Sequence, residues 1–367
     1  MKFKLVLLVY CLLLIFLAIF SYGFVDANFP LRTSPFLYNL VHFHRPLTTG
    51  IYTFFIISLF GFYFYFLNKA RCQQITIRQV KTLILFALGI LLFSFPAFSY
   101  DIFNYMATAK VTFFYKENPY LVMPIEFLGE PMLKFMHAAN KYALYAPFWI
   151  LLTAIPYFLG LGRIVLTVFT FKTFVACFYL ISVWLIWWLS AGNLYSLVFF
   201  AFNPLVLIET LVSGHNDVVM MAFTLISIYL LFQKRKLLSL ISLFASTGIK
   251  YATIVLIPLF IFSSKFKKDK LITYSVWLMF IAFLLSPLRE EIYSWYFIWV
   301  ISFAALLPKN KFLFWLIVGF SFGLLLRYTP WLYFRNWGGL TAKIKTLTTF
   351  IPPGIALFGY FLKLDHR

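Results

Sequence analysis

Long apolar runs separated by short polar loops dominate this sequence from its beginning. The runs lie at about 5–25, 48–67, 82–100, 164–189 and 194–211, and others follow to about residue 362. They lack the alternation of a half-buried strand and approach the length that a helix needs to cross a bilayer. A lipid-exposed segment must satisfy its own backbone hydrogen bonds, which favours helices over a barrel. The pattern therefore predicts an all-α integral membrane protein.

Basic residues gather in short loops between these runs, at 69–81, 233–236 and 265–270. Such clusters mark cytoplasmic loops, so the net charge of +20 indicates orientation in a membrane rather than nucleic acid binding. The first run follows Lys2 and Lys4, and no clear small-residue cleavage site comes after it. This favours an uncleaved first helix over a signal peptide. Counting from that helix predicts a multi-pass protein of the cell membrane with about 12 spans and both termini in the cytoplasm.

Two apolar segments are not predicted to cross the membrane as single helices. Residues 145–162 have a short apolar centre interrupted by Pro147 and Pro156, which predicts a re-entrant or interfacial helix within an outer loop. Residues 237–264 are flanked at both ends by basic clusters, and one span cannot return both ends to the cytoplasm. We therefore expect a hairpin of two short helices here, with Lys250 at its outer turn.

Carboxylates are scarce in this chain, and placing one near a membrane costs free energy, so each such residue is a candidate for a specific role. Asp and Glu total 11 of 367 residues, and 63% of the residues are hydrophobic. Asp101 directly follows an apolar run, and His215 and Asp217 follow another that the topology brings to the same outer face. Ionisable groups at such positions are functional candidates. Asp217 has an alternative role as the N-cap of a helix beginning at Val218, and His215 as an ordinary hydrogen-bonding loop residue.

An ordered set of motifs carries a family resemblance over residues 95 to 307. The set is SYDIFNY, KENPY, YAPFW, NPLVLIETLVSGHND, GIKYATIVLIPL and SWYFIWV, of which SYDIFNY and SGHND are the specific parts. It resembles the bacterial polyprenyl-phosphate-mannose-dependent mannosyltransferases of glycosyltransferase superfamily C. The resemblance implies that Asp101, at the start of the first large outer loop, is the catalytic base and that the donor is a lipid-phosphate sugar. The loop follows the third helix here, which implies two extra N-terminal helices.

These expectations define one polytopic membrane domain, residues 1–367. Three N-terminal helices occupy 1–100, an outer catalytic loop occupies 101–163, and the remaining helices occupy 164–367. The expected function is transfer of a sugar, mannose by the resemblance, from a polyprenyl-phosphate donor to an extracytoplasmic lipid or glycan acceptor. The expected partners are that donor, that acceptor and membrane lipids, with no nucleic acid.

The residue inventory suits this chemistry independently. Sugar transfer from a lipid phosphate needs a base for the acceptor hydroxyl and cations for the leaving phosphate. Asp101 is the candidate base, with His215 and Asp217 as further catalytic candidates; His215 would donate to the phosphate or orient Asp101. The candidates for substrate binding, with cations for phosphate and rings for sugar or lipid, are Asn104, Tyr105, Asn118, Tyr120, Asn216, Lys250, Arg289, Arg327, Trp295 and Tyr296.

No cofactor is certain from the sequence. It has no DxD pair and no His/Asp cluster with firm metal spacing, so a divalent metal is not indicated, although the question stays open. A transporter or lipid flippase is the main alternative function, because it too would show about 12 helices and a few charges. No similarity between the two halves is visible, which speaks against it. A membrane acyltransferase is a third alternative, and it would require a histidine deep in the membrane. The five histidines of this chain fall in loops or the tail, which argues against that class.

Overall fold

The computed structural model describes residues 2–288 and 291–365, and within these ranges the regular structure is entirely helical. This confirms the all-α prediction. The helices are, in chain order, α1 Lys2–Ser21, α2 Pro35–Phe43, α3 Arg45–Arg71, α4 Ile77–Leu92, α5 Asp101–Phe113, α6 Pro147–Leu152, α7 Ala154–Leu159, α8 Ile164–Leu189, α9 Leu194–Ala201, α10 Pro204–Val206, α11 Asp217–Phe232, α12 Lys236–Thr247, α13 Ile257–Ile261, α14 Lys268–Leu285, α15 Ile298–Ala304, α16 Lys311–Leu326, α17 Thr329–Phe334 and α18 Leu340–Asp365.

Several segments are long and apolar enough to cross a membrane. In the described part of the chain there are five such helices, and a sixth candidate joins α9 to the segment Pro204–Val212 across a 47° bend. The five are Phe3–Phe24, Arg45–Arg71, Ile164–Leu189, Lys268–Leu288 and Lys311–Phe334. Other apolar helices, such as α11 and α12, are shorter. The protein is thus a helical membrane protein, and the count of 12 spans with cytoplasmic termini stays a prediction.

The predicted outer loop contains helices of its own. Residues 147–159 form α6 and α7, which at 1.5 Å per residue reach about 20 Å together, short of a hydrocarbon core of about 30 Å. Their length agrees with a segment that does not span, and whether it re-enters the membrane stays a prediction. The sequence pattern gave no sign of α5, which begins at Asp101 itself.

The helix before Asp101 ends earlier than predicted. The apolar run suggested a helix over about 82–100, but α4 ends at Leu92 and residues 93–100 cross to α5 without regular structure. The buried side chain of Lys172, from α8, caps this helix end. Its ammonium group donates to the carbonyl oxygens of Leu91, at 3.0 Å, and Ser94, and to the Ser94 hydroxyl at 2.8 Å. Carbonyls at a helix end lack partners within the helix, and a cation there satisfies them.

The hairpin predicted around Lys250 is present. α12 and a 3₁₀ segment, Tyr251–Leu256, which continues into α13, lie on either side of it. The ammonium group of Lys236 donates to the carbonyl oxygen of Ile261 at 2.7 Å, which joins the two far ends. Lys250 therefore sits at the opposite, closed end of the pair.

α16 and α18 pack closely because glycines line their contact. A Cβ atom added at Gly319 would lie 2.5 Å from Cα of Pro353, and one at Gly323 would collide with the carbonyl oxygen of Thr348. Small residues spaced by four let two helix backbones approach. This packing places Lys345, in the first half of α18, beside the end of α16.

Candidate active site

Three ionisable side chains meet where the helices of different chain regions end. Nδ1 of His215 lies 3.4 Å from Oδ2 of Asp101, and its Nε2 lies 3.4 Å from Oε2 of Glu209. The side chains of His215 and Glu209 are fully buried, whereas that of Asp101 is 24% exposed. The structure thus brings together the two most specific motifs of the sequence, SYDIFNY and SGHND. Because the two carboxylates face opposite ring nitrogens, the three groups do not converge on one point, as metal ligands would.

Local backbone structure positions His215. Residues Leu207–Val212 form a π-helical turn after α10, and the amide of His215 donates to the carbonyl oxygen of Glu209 at 3.0 Å. Gly214 has a φ of +77°, a left-handed conformation that favours glycine, and it turns the chain into α11. The imidazole stacks on the indole of Trp295, with ring centroids 3.8 Å apart.

The surroundings of His215 favour its charged form. Burial lowers the pKa of the imidazole, but the hydrogen-bonding capacity and negative charge of Asp101 and Glu209 outweigh burial, so the pKa is raised above its usual value. At 3.4 Å both contacts are long for hydrogen bonds, and neither ring nitrogen has a partner with full hydrogen-bond geometry among the described residues.

A cavity of about 280 Å³ opens beside Asp101. Its polar lining includes Asp101, Asn104, Glu291, Arg327 and Lys345. The aromatic residues that line it include Tyr100, Tyr293, Trp295, Tyr328, Trp331 and Trp337. Its lining therefore combines two carboxylates, two cations and flat aromatic surfaces, the groups that bind sugars and phosphates.

One carboxylate holds the two cations. Glu291 receives Arg327 Nη2 at 3.0 Å and Lys345 Nζ at 2.9 Å, and its side chain is 40% exposed. Arg327 also donates to the Thr349 hydroxyl at 3.0 Å. Two cations share one anion, so this part of the cavity keeps an excess positive charge. The sequence had suggested Arg289 for this role as well, but Arg289 lies outside the described residues.

Lys250 has a carboxylate partner in the structure. Its Nζ lies 2.7 Å from Oδ2 of Asp217 and 4.8 Å from the ring centroid of Tyr296. The other oxygen of Asp217 accepts from the indole of Trp299 at 2.6 Å. Lys250 is therefore not an unpaired cation, whereas its predicted contact with a donor phosphate stays a prediction. The N-cap alternative for Asp217 was wrong too, because α11 begins at Asp217 and its oxygens go to side chains.

The remaining predicted residues divide into two groups. Tyr105 is fully buried behind Asp101, and its hydroxyl donates to Oδ1 of Asn216 at 3.2 Å, so these two support the site. Asn118 and Tyr120 lie in the long loop, where the Tyr120 hydroxyl donates to the carbonyl oxygen of Tyr145 at 2.7 Å. Neither of these loop residues is among the described residues that line the cavity.

The fold is that of a helical membrane protein, and its cavity is lined by carboxylates, cations and aromatic rings. The chain belongs to the family of the alpha-(1->6)-mannopyranosyltransferase N-terminal domain (MptA_B family), whose family model matches residues 7–264. It is therefore a mannosyltransferase of the superfamily C type, which confirms the enzyme interpretation over the transporter alternative. Membership implies a sugar donor and an acceptor. No curated protein and no solved structure matches the chain.

Proposed function

We propose that this mannosyltransferase takes mannose from a polyprenyl-phosphate donor and transfers it to a hydroxyl of a lipid or glycan acceptor on the outer face of the membrane. The observation that carries the proposal is the single cavity that holds Asp101 together with Arg327 and Lys345. A base and a phosphate site within one small volume are what transfer from a sugar phosphate requires.

The form of the cavity is compatible with a lipid-linked donor. Sites that enclose a drug-sized ligand measure about 300–1,000 Å³, and this cavity, at about 280 Å³, is close to the lower limit. A sugar phosphate headgroup would occupy it, and the polyprenyl chain would not need room there, because the bilayer would solvate it.

The residues would divide the reaction between them as follows. Asp101 would remove the proton of the acceptor hydroxyl as the hydroxyl oxygen attacks C1 of mannose. The bond between C1 and the phosphate oxygen would break, and its electron pair would stay on the phosphate. Arg327 and Lys345 would stabilise the charge that grows there, and Arg327 offers a planar set of donors that suits phosphate. Trp331 and Trp337, whose rings stack with centroids 5.4 Å apart, would provide a flat wall for the sugar or the first isoprene units.

A transfer assay with the purified protein tests the proposal. The protein in detergent, free of other membrane enzymes, would be given radiolabelled mannosyl polyprenyl phosphate or a nucleotide-linked mannose, with total membrane lipid as acceptor. We expect product from the lipid-linked donor alone, and none with the Asp101→Asn variant. Efficient transfer from the nucleotide donor, with none from the lipid donor, would contradict the proposal.

A further inference from the structure

His215 lies between two carboxylates, one at each ring nitrogen. Asp101 is 3.4 Å from Nδ1 and Glu209 is 3.4 Å from Nε2. Transfer as described above uses only Asp101, so it leaves the fully buried Glu209 without a role. A buried carboxylate is costly, and one beside a functional histidine calls for an explanation.

The chemistry of imidazole limits what His215 can be in this position. A neutral imidazole has one N–H group and one lone pair, so it can donate to only one of the two carboxylates, and its lone pair would face the other. The imidazolium form has an N–H group at both nitrogens and attracts both carboxylates. The geometry therefore selects the charged ring.

We propose that Glu209 is a positioning residue that holds His215 as an imidazolium, which in turn fixes Oδ2 of Asp101 and leaves Oδ1 to accept the proton of the acceptor. The proposal rests on the proposed function, in which Asp101 is the base. In this step the O–H bond of the acceptor breaks, the proton moves to Oδ1, and the oxygen forms its bond to C1 as the phosphate leaves. The imidazolium keeps both of its protons throughout.

Three further contacts support this arrangement. The backbone joins Glu209 and His215 through the 3.0 Å hydrogen bond described above, so one turn of chain carries both residues. The Tyr328 hydroxyl donates to Oε1 of Glu209 at 2.9 Å, which leaves Oε2 for His215. Trp295 stacks on the ring at 3.8 Å, and an aromatic face stabilises a cation.

Among the described residues, Asp101 and Glu209 are the carboxylates within ion-pair distance of His215. α5 contributes Tyr105 in addition to Asp101, and the Tyr105 hydroxyl is bonded to Asn216. α8 contributes Lys172, whose stem packs beside Gly214 and whose ammonium group is held by the end of α4. The titratable and aromatic groups near His215 and Glu209 come from several neighbouring elements. They are Asp101 and Tyr105 of α5, Lys172 of α8, Tyr52 of α3, Tyr328 after α16, and Trp295.

Nitrogen NMR of the protein with ¹⁵N-labelled histidine, in detergent micelles, reads the protonation state without any substrate. The His215→Gln variant assigns the signal. Near pH 7.5, about one unit above the ordinary histidine pKa of about 6.5, we expect both ring nitrogens of His215 to carry protons in the unmodified protein. A neutral ring at this pH would overturn the proposal, and this measurement needs no variant of Glu209.

Glu209→Gln removes the charge and keeps the shape, and Glu209→Asp keeps the charge. In Glu209→Gln the midpoint of the His215 titration should fall by about one to three pH units. It should fall less in Glu209→Asp and stay unchanged in Glu117→Gln, a matched control on an exposed loop glutamate. An unchanged midpoint in Glu209→Gln would overturn the proposal.

The pH profile of turnover gives a second readout. Because the pKa of His215 is raised, the imidazolium persists to higher pH than in an ordinary histidine and is lost as the pH rises through that raised value. Glu209→Gln should therefore move the alkaline limb of the profile to lower pH.

The experiments distinguish failure of this inference from failure of the proposed function. If His215 is charged but the protein transfers no mannose from a polyprenyl phosphate, only the proposed function fails. If transfer depends on Asp101 but His215 is neutral, only the role of Glu209 fails.

Discussion

The ammonium nitrogen of Lys250 lies 2.7 Å from a carboxylate oxygen of Asp217, and this contact joins the closed end of the α12 hairpin to the first residue of α11. Asp217 is fully buried and Lys250 is nearly so, with 16% of its side chain exposed. His215 stands two residues before Asp217 in the chain. The pair therefore fixes the start of α11 beside the candidate active site. Neither Lys250 nor Asp217 is among the described residues that line the cavity.

Removing one partner of this pair should destabilise the protein. Lys250→Met would leave Asp217 buried without its cation, although the Trp299 indole still donates to it, and breaking a buried pair in this way costs about 3–5 kcal/mol. We expect a lower thermal midpoint in detergent, measured by size-exclusion chromatography after heating. Lys250→Arg should be close to the unmodified protein. The double variant with Asp217→Asn should regain part of the loss, and a Lys250→Met protein of normal stability would refute the structural role.

Asp101→Asn should reduce transfer by a factor of about 100 or more, the lower range for a positioned general base, because the amide keeps the size and loses the basicity. The assay is initial rate of mannosyl transfer with saturating lipid donor. Asp269→Asn, on an exposed aspartate of α14, is the matched control and should behave as the unmodified chain. Retention of most of the activity in Asp101→Asn would place the base elsewhere.

The cluster of Arg327, Lys345 and Glu291 predicts opposite effects on donor binding. Arg327→Gln and Lys345→Gln each remove a charged donor worth about 1.5–3 kcal/mol, so donor KM should rise and kcat should fall, with kcat/KM reduced about tenfold or more. Glu291→Gln removes the anion that competes with the phosphate, so donor KM should fall. Lys267→Gln, an exposed lysine, serves as the control. If all three cluster variants keep the same donor KM, the cluster does not bind the phosphate.

Thiol labelling tests the orientation. In a background with Cys11, Cys72 and Cys177 replaced by Ser, a cysteine at the exposed positions 118 or 251 should react with an impermeant reagent added outside intact cells. Cysteines at 234 and 267, in the basic loops, should react only after the membrane is opened. Labelling of the second pair from outside would invert the topology and move the active site to the cytoplasmic face.

The sequence was informative where a polar motif interrupts an apolar run. Asp101 and His215 stand in such motifs, and the topology placed both at one face, where the structure has them in contact. The break at Lys250 was also predictable, because basic clusters flank both ends of one apolar segment and a single span cannot return both ends to the cytoplasm. These predictions depend only on neighbours in sequence and on the thickness of a membrane.

Other parts of the site depend on contacts that no local pattern shows. Glu209 lies in the apolar run LIETLV, and its role appears only when the π-helical turn brings it to His215. In the sequence, Lys345 is one basic residue among several in the C-terminal segment. Only the packing of α18 on α16 shows that it lines the cavity. The partner of Lys250 could not be assigned, because pairing across 33 residues needs the folded chain. Glu209 did offer one signal, as a lone carboxylate within an apolar run.

The two sides of the cavity come from separate lengths of chain. Asp101, His215 and Glu209 lie within the stretch 7–264 that the family model matches, whereas Glu291, Arg327 and Lys345 lie beyond it. The division is not complete, because Trp295 and Tyr328, which contact His215 and Glu209, also lie beyond residue 264. A substitution in the last third of the chain can therefore alter the surroundings of both sides of the cavity.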